Sequence, residues 1–497
     1  MTKNNIGRHP LFLFLGCLLT AFLFCLVFSI TTSPLYGYEG CDSAIFRVVG
    51  KYWAQGFMPY TELWDHKGPI IFLMDCLGYM LTGSKLGIMV IQSLSLSVFI
   101  YFVYRIFERK FTAWPSAAFT ALTLLWLGCV YNGGNLTEEY LLPLLAASVL
   151  NTLKWLDKEE VSPTPHNRWY AFLHGAILAF ALLTRLTNAA LSCAIMLAVG
   201  LILIRDRQWS NLWQNILFYV LGFAALTLPF VLWFAANGAL DEAVFATFTY
   251  NISYAQSFAG EGSYSISKLV HLVISALNCT ALTAVSAYMF FSNKGHRHSA
   301  FVWLLASGIL CASWFATSLT GTNYRMPSVA VFPVLILELY CLKRGFHPIL
   351  RYVAIAGLAL LPLWKVSTYL GGEFHYEFMK WDSSALAAKV REDIPEEGLK
   401  SFIGYDVPPD IYFHLDARPC YRYYNMQSWQ GKRSGRLKED IMKAFGTAEA
   451  EWVLLGLPPA IMPEILNQAY IPVRKYTRSL SFLKEPQEFI LYKRMEN

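Results

Sequence analysis

Residues 38–69 read YEGCDSAIFRVVGKYWAQGFMPYTELWDHKGP, and this stretch decides how the rest of the chain is interpreted. It follows directly on a long apolar run and precedes another apolar segment. Between the two it gathers ionisable side chains, among them Glu39, Asp42, Glu62, Asp65, His66 and Lys67. Ionisable groups beside a segment of membrane-spanning length predict a loop at a membrane surface.

The composition indicates a polytopic membrane protein. Of the 497 residues, 55% are hydrophobic and only 15% are charged, whereas a soluble domain carries about 25% charged residues. The net charge of +6 comes without a basic cluster with interleaved aromatic residues, so no nucleic-acid partner is expected. Most of the ten cysteines lie in apolar runs, and no pair has zinc or redox spacing.

A spanning helix needs about 20 mostly apolar residues. The predicted fold class is therefore an all-α membrane domain with about eleven transmembrane helices. The candidate segments are 11–33, 86–107, 112–130, 139–156, 169–185, 188–204, 212–236, 267–291, 300–319, 326–342 and 350–370. Segment 68–83 is shorter and contains Asp75, so it is predicted to lie flat at the interface.

The distribution of Lys and Arg predicts the orientation. Loops 131–138, 186–188 and 320–324 carry neither residue, whereas the loops between them are basic. The N-terminus is therefore expected in the cytoplasm as an uncleaved anchor, and an odd number of spans puts the C-terminus outside. The basic residues assigned to the inner side are Lys3, Arg8, Arg105, Arg109, Lys110, Lys154, Lys158, Arg168, Arg205, Arg207, Lys294, Arg297, Lys343, Arg344 and Arg351.

The last part of the chain changes character near residue 371. Short β-type runs at 401–405, 451–457 and 488–494 alternate with a polar helical stretch at 434–450. Strands that alternate with helices predict a small α/β domain, expected outside the membrane. The predicted domains are thus 1–370, with a large first outer loop at 34–85, and 371–497.

Within the first outer loop, an amphipathic surface helix is predicted to start at Asp42. A carboxylate at that place is favoured by the backbone N–H groups of the helix, so Asp42 has either a chemical role or only a capping role. The turn ELWDHKGP at residues 62–69 is either a second part of a site or a solvated turn.

These motifs resemble the first outer loop of polyprenol-dependent GT-C glycosyltransferases, which include the lipid A aminoarabinose transferases and the protein O-mannosyltransferases. The pattern D-S-x-x-F…G-K…G…P-Y-x-E-L-W-D-H-K-G-P is most similar to a bacterial branch that acts on surface polysaccharides. Shorter similar motifs are NGGNLTEEYLLPLL at 132–145, ALLTRLTNA at 181–189 and GTNYR at 321–325. The resemblance implies a membrane glycosyltransferase that works without a metal or cofactor.

The resemblance also implies roles for individual residues. Asp42 corresponds to the base that takes the proton of the acceptor hydroxyl. Asp65 and Lys67 correspond to the acidic residue and the lysine of the turn, where the lysine binds the donor phosphate. Two positions depart from the aminoarabinose transferases: Ile45 stands where they have a basic residue, and the turn reads Lys-Gly-Pro.

Sugar transfer from a polyprenyl phosphate needs a base and cations for the leaving phosphate. Glu39 is the reserve base. Besides Lys67, the candidate cations are Arg185 and Arg325, the latter beside Tyr324, and all three fall at the same predicted depth. The alternatives are interface snorkelling for Arg185 and headgroup anchoring for Arg325.

Further candidates flank these groups. Glu138 and Glu139 begin the fourth predicted span, where they either favour the helix N-terminus or orient Lys67 or the acceptor. His66 either hydrogen-bonds the acceptor or is structural. The sequons at Asn135 and Asn251 are interpreted as chance, and no Asp, Glu and His set has metal spacing.

The sequence therefore predicts an inverting glycosyltransferase of the bacterial inner membrane. It would transfer a sugar from a polyprenyl-phosphate donor to a glycan, lipid or protein acceptor at the outer face. The alternative is a transporter or flippase of a lipid-linked or small solute, which would gain support if the segment with Asp75 spanned the membrane. A polysaccharide polymerase or ligase is a third option, but it would carry its large outer loop later in the chain.

Overall fold

The computed structural model describes residues 10–40, 42–258, 276–292, 296–316, 322–342, 348–368, 382–478 and 486–495. The chain divides into two compact units. The first, called here the helical unit, comprises Met1–Ser29, Met89–Leu232 and Ser263–Gly372. The second, called here the mixed unit, comprises Ile30–Ile88, Trp233–Gly262 and Glu373–Asn497. The predicted first outer loop and the predicted C-terminal domain thus fall in one unit. The predicted domain boundary at residue 370 stays a prediction.

Apolar helices make up the described part of the helical unit, and two helices run on into the mixed unit. The helices are α1 (Pro10–Phe28), α4 (Lys85–Glu108), α5 (Ala113–Gly128), α6 (Leu142–Glu159), α7 (Arg168–Leu182), α8 (Ala190–Arg205), α9 (Trp209–Ala236), α12 (Leu277–Ser292), α13 (Arg297–Ala316), α14 (Met326–Val329), α15 (Phe332–Cys341) and α16 (Pro348–Thr368). The numbers missing from this list, α2, α3, α10 and α11, are helices of the mixed unit, and their bounds are given below.

Within the described residues, four stretches are long and apolar enough to cross a membrane: Pro10–Phe28, Lys85–Glu108, Leu186–Arg205 and Trp209–Ala236. A fifth span is possible if Asn323–Val329 and Phe332–Cys341, which meet at 41°, count as one. Each of the eleven predicted segments contains a helix within the described residues, but several are shorter than a span. The predicted number of eleven therefore stays a prediction. Residues 267–275, 317–321, 343–347 and 369–370 of these segments and loops lie outside the described residues, as do Lys3, Arg8 and Lys294.

Large apolar side chains on the outside of α1 and α9 indicate contact with lipid. Phe12 and Leu19 on α1 are 67% and 60% exposed, and Leu217 and Leu232 on α9 are 56% and 66% exposed. Soluble monomers rarely expose apolar surfaces of this extent. The apolar helices thus agree with the integral membrane protein predicted from composition.

The bend between α14 and α15 explains why segment 326–342 does not form one straight span. Pro327 and Pro333 stand in the first turn of α14 and α15, respectively. Proline lacks an N–H and cannot continue a helix from the residues before it. The sequence pattern of apolar residues alone did not distinguish this broken helix from a continuous one.

Polar side chains join the ends of the helices in the helical unit. At the C-terminal end of α6 and α8, the Arg205 guanidinium lies 3.9 Å from the Glu159 carboxylate and 2.7 Å from the His298 imidazole. At the N-terminal end of the same two helices, Arg185 lies 3.4 Å from Glu138. The basic loops that were assigned to one membrane side thus meet at one end of these helices, and the loops without Lys or Arg lie at the other end.

The mixed unit begins with two helices of the first outer loop, α2 (Asp42–Trp53) and α3 (Pro69–Thr82). The predicted helix start at Asp42 is confirmed. The two helices pack at Gly50, where an added Cβ would lie 2.3 Å from the Asp75 side chain and 2.8 Å from the Cys76 nitrogen. Only glycine allows the helices to approach so closely.

The C-terminal part of the mixed unit contains a four-stranded sheet of β1 (Phe402–Tyr405), β2 (Trp452–Leu457), β3 (Tyr470–Arg478) and β4 (Gln487–Arg494). The strand order is β1-β2-β4-β3, in which β1 and β2 are parallel and the other pairs are antiparallel. Three strands match the predicted runs, while β3 was not predicted. The remaining helices of the mixed unit are α10 (Leu240–Val244), α11 (Tyr250–Phe258), α17 (Ser384–Asp393), α18 (Ile411–His414), α19 (Gln427–Gly431), α20 (Gly435–Gly446) and α21 (Ile465–Ala469).

Hydrogen bonds to main-chain carbonyl oxygens tie the first outer loop to the C-terminal region. The Trp64 N–H donates to the Arg422 carbonyl oxygen at 2.8 Å, and the Tyr424 hydroxyl donates to the Ile45 carbonyl oxygen at 2.9 Å. Trp64 is fully buried among Tyr250, Tyr423 and Phe245. The turn at residues 62–69 is therefore held by buried contacts from distant segments, which argues against a freely solvated turn.

Candidate functional site

The turn at residues 65–67 orders three ionisable side chains. One Asp65 carboxylate oxygen accepts the Lys67 backbone N–H at 3.0 Å, and the other lies 3.6 Å from His66 Nδ1. His66 Nε2 lies 2.7 Å from Lys67 Nζ. Since an ammonium group only donates hydrogen bonds, Nε2 is the acceptor and the ring proton is on Nδ1, towards Asp65. Asp65 thus orients His66, and His66 orients Lys67.

The pKa values of this turn agree with that arrangement. Burial alone would raise the pKa of Asp65, but the charges and hydrogen bonds of His66 and Lys67 outweigh it and lower that pKa. Burial and the neighbouring Lys67 charge lower the pKa of His66, and the charges of Asp65 and Asp42 offset this only in part. Asp65 is therefore ionised and His66 is neutral near neutral pH.

Asp42 lies at the exposed start of α2. Its carboxylate is close enough to His66 for its charge to act on the pKa of the imidazole. Asp42 and the turn at residues 65–67 therefore lie within the range of a charge interaction in the mixed unit. An exposed carboxylate and an ordered ammonium group are the residue types that a base and an anion-binding group need.

Glu39 is bound in a buried ion-pair network. Its carboxylate lies 2.5 Å from the Arg47 guanidinium and 3.2 Å from Lys85 Nζ. Arg47 is only 2% exposed and also donates to the Thr31 carbonyl oxygen at 3.1 Å and to the Tyr79 hydroxyl at 3.3 Å. A buried guanidinium needs such a counter-ion. Because Glu39 is this counter-ion, Asp42 is favoured over Glu39 as the base.

Aromatic rings from distant segments surround His66. Ring centroids of Tyr250, Tyr254 and Trp429 lie 5.4, 5.9 and 6.1 Å from that of His66. Asn251 Nδ2 donates to the His66 carbonyl oxygen at 2.8 Å, so the asparagine of the second sequon has a structural contact. The three rings could not be identified from the sequence, because local patterns do not show contacts between segments far apart in the chain.

In the helical unit, three of the predicted residues lie together. The Arg185 guanidinium lies 3.4 Å from Glu138 and 3.7 Å from the centre of the Tyr324 ring. Glu138 is buried and also accepts from the Thr137 hydroxyl at 3.0 Å. Glu138 therefore pairs with Arg185 and holds this predicted phosphate-binding cation in place.

Arg325 and Glu139 lie in other surroundings of the helical unit. Arg325 is 3% exposed, and its guanidinium lies 5.0 Å from the centre of the Trp314 ring. Glu139 accepts from Gln92 at 3.0 Å, from the Asn135 N–H at 2.9 Å and from the Tyr131 hydroxyl. These buried bonds hold the loop before α6 and explain Glu139 as a structural residue.

The predicted site residues are thus divided between the units. The mixed unit contains Glu39, Asp42, Asp65, His66 and Lys67, and the helical unit contains Glu138, Glu139, Arg185, Tyr324 and Arg325. The expected convergence of Asp42, Lys67, Arg185 and Arg325 around one headgroup stays a prediction.

A second polar cluster of the mixed unit was not predicted. His414 Nε2 lies 3.3 Å from Asp382 and 3.6 Å from Asp410. The ligand-type atoms of these three residues lie within 4.8 Å of one another, which is compatible with a metal ion. Burial alone would lower the pKa of His414, but hydrogen bonds and charges of Asp382 and Asp410 raise it to about 9. A protonated imidazole between two carboxylates therefore accounts for the cluster without a metal.

Comparison with known proteins supports a membrane glycosyltransferase. Residues 66–233 match the family model of the dolichyl-phosphate-mannose-protein mannosyltransferases, a family of the GT-C superfamily. This range starts inside the turn, includes Lys67 and Arg185, and excludes Asp42 and Arg325. A search of curated proteins finds no match to the chain. The match confirms the resemblance to GT-C membrane glycosyltransferases that was inferred from the motifs.

Proposed function

We propose, starting from this match, that the chain transfers a sugar from a polyprenyl-phosphate donor to a hydroxyl group of a cell-surface glycan, lipid or protein. The reaction takes place at the outer face of the bacterial inner membrane. The observation that carries the proposal is the ordered turn of Asp65, His66 and Lys67, in the same predicted outer loop as exposed Asp42.

The proposed reaction is a single inverting displacement. The acceptor oxygen forms a bond to the anomeric carbon, while the bond from that carbon to the phosphate oxygen breaks. The proton of the acceptor hydroxyl goes to Asp42, and the electron pair leaves with the polyprenyl phosphate. Lys67 stabilises the charge of the leaving phosphate.

The transporter alternative receives no support from α3. This helix has 14 residues, which at a rise of 1.5 Å per residue makes it about 21 Å long. The hydrocarbon core of a bilayer is about 30 Å thick. A helix of this length does not put Asp75 at the middle of a complete span, which was the condition under which a transporter would gain support.

The test uses the purified full chain in lipid nanodiscs with a panel of sugar-bearing undecaprenyl phosphates, and it measures release of undecaprenyl phosphate. We expect Asp42→Asn to lower turnover about 100-fold to 10,000-fold, because a general base contributes a factor of that size. The thermal stability should stay at the wild-type level, since Asp42 is exposed.

Two variants serve as controls. Asp416→Asn makes the same change at an exposed carboxylate of the mixed unit that pairs with Lys51, and it should keep full turnover. Glu39→Gln should lower the unfolding temperature, because it removes the counter-ion of buried Arg47. Full turnover by a folded Asp42→Asn variant would refute Asp42 as the base. A wild-type protein that releases undecaprenyl phosphate from no donor would refute the proposed reaction.

A further inference from the structure

The C-terminal region contributes two side chains beside the turn of the proposed donor site. Trp429 lies on α19, and its ring centroid lies 6.1 Å from that of His66 and 5.3 Å from that of Tyr254. The centroids of His66 and Tyr254 are 5.9 Å apart, so the three rings form a triangle. His66 is the residue that orients Lys67. Trp429 of the C-terminal region thus lies next to the residue that orients the Lys67 ammonium group.

Arg433 adds a second cation to this group. Its guanidinium lies 3.9 Å from the centre of the Trp429 ring and 5.7 Å from that of Tyr254. A hydrogen bond of 2.8 Å from the guanidinium to the Trp429 carbonyl oxygen holds Arg433, which follows the end of α19, against that helix. Trp429, Tyr254, Arg433, His66 and Lys67 are called here the ring cluster. The cluster combines aromatic faces with two positive charges, Lys67 and Arg433.

The exposure of the cluster differs from that of an ordinary aromatic core. Tyr250 and Trp64, which pack against its inner side, are fully buried. Trp429, Tyr254, Arg433 and Lys67 are each partly exposed. A core cluster would be buried throughout, whereas this one has a buried base and an accessible outer layer.

We propose that the ring cluster is the subsite that binds the headgroup of the lipid-linked donor. Trp429 stacks on the sugar ring, and Arg433 together with Lys67 binds the adjacent phosphate. Aromatic faces suit the C–H faces of a sugar, and cations suit a phosphate, so a ligand with both groups matches the cluster. This inference rests on the proposed function and adds a role for the C-terminal region in donor binding.

The test measures binding, so that it does not depend on turnover. Mannosyl and glucosyl undecaprenyl phosphate, and undecaprenyl phosphate without a sugar, are titrated onto the full chain in nanodiscs. We expect Trp429→Leu to weaken binding of a sugar-bearing lipid about tenfold and to leave undecaprenyl phosphate unchanged, because only the sugar stacks. Arg433→Gln should weaken all three lipids, since each contains the phosphate.

Conservative and matched variants separate these effects from a loss of folding. Trp429→Phe keeps an aromatic face and should restore most of the affinity. Arg418→Gln removes a similar cation on a ring, 4.4 Å from the centre of Phe57, in the same unit, and should bind all three lipids as the wild type does.

The outcomes distinguish the subsite from the reaction. The subsite is refuted if Trp429→Leu binds every lipid as the wild type does, or if it loses affinity for the sugar-free lipid and for the sugar-bearing lipids equally. The proposed function is not refuted by that result as long as the wild type shows turnover. If Trp429→Leu raises the Michaelis constant for the acceptor and not for the donor, the ring cluster binds the acceptor and the donor assignment is refuted. A wild type that binds none of the lipids refutes the subsite, and absent release of undecaprenyl phosphate refutes the reaction separately.

Discussion

His66 orients Lys67 only while its imidazole is neutral. In that state Nε2 accepts a hydrogen bond from the Lys67 ammonium group at 2.7 Å. Protonation would remove the acceptor and place two positive charges in contact. Asp65 and Asp42 favour the proton on His66, but burial and Lys67 outweigh them and lower its pKa. The neutral state therefore persists to a lower pH than for a histidine in water.

We expect donor affinity to fall when the pH drops below the ordinary histidine value of about 6.5 and passes through the lowered pKa of His66. Mannosyl undecaprenyl phosphate is a suitable ligand, because its phosphodiester stays ionised over this range. His66→Gln keeps an acceptor near the position of Nε2 without a titrating group, so its affinity should change little with acidification. An equal loss of affinity in wild type and His66→Gln would contradict this role of His66.

The residues of the turn could be found from the sequence because they are neighbours in it. Asp65, His66 and Lys67 stand next to one another after an apolar segment, and Asp42 marks the start of an amphipathic helix in the same loop. Trp429 and Tyr254 were missed because each comes from a segment far along the chain. Their sequence surroundings show an aromatic residue in a mixed segment, which is equally typical of an ordinary core.

At the scale of elements, β3 shows where local patterns fail. It contains Pro472 and a run of basic residues, and most of its side chains between Tyr470 and Tyr476 are exposed. Strand predictions rely on β-branched and aromatic residues with alternating burial, and a proline argues against a strand. β3 forms because, among the strands that the structure describes, it lies at the edge of the sheet and pairs with β4 alone, where a bulge at Pro472 and Arg474 accommodates the proline.

The Asp382, His414 and Asp410 cluster connects the start of α17 to α18. The Ser383 N–H and hydroxyl donate to Asp410 at 2.6 and 2.8 Å, and His414 lies between Asp410 and Asp382. The pKa of His414 is raised to about 9. The contribution of His414 to stability is therefore complete below about pH 6.5 and is lost as the pH rises through 9. The hydrogen bond from His414 lowers the pKa of Asp382 to about 2. The contribution of Asp382 to stability is therefore lost only as the pH falls from about 4 to 2.

His414→Gln should therefore reduce the local stability of α17 by about 2 kcal/mol at pH 6 and by much less at pH 9.5. Hydrogen exchange of residues 384–393, corrected for the intrinsic rate at each pH, measures this difference. Lys400→Gln is the control, since it removes an exposed ion pair with Glu397 in the same region and should change little. An equal reduction at both pH values would contradict the protonated state of His414, and protection by added zinc would favour a metal there.

At the scale of the whole molecule, the helices could be predicted and the number of spans could not. Apolar runs of about 20 residues identify a buried or lipid-facing segment. They do not show whether the segment is one continuous helix, as α9 is despite Pro229, or a broken one, as between α14 and α15. The basic loops were more informative, because their side chains meet at one end of α6 and α8 while Glu138 and Arg185 meet at the other.

This arrangement leads to a prediction about orientation. The stretch Leu186–Arg205 is long enough to span the membrane, with Arg185 before one end and Arg205 and Arg207 at the other. Because basic loops stay in the cytoplasm, residues 205–208 are expected inside and Arg185 outside. An alkaline phosphatase fused after Arg207 should be inactive, and one fused after Asn497 should be active. Green fluorescent protein at the same two positions is the matched control and should give the reverse result. Phosphatase activity at Arg207 would contradict this orientation of the stretch Leu186–Arg205.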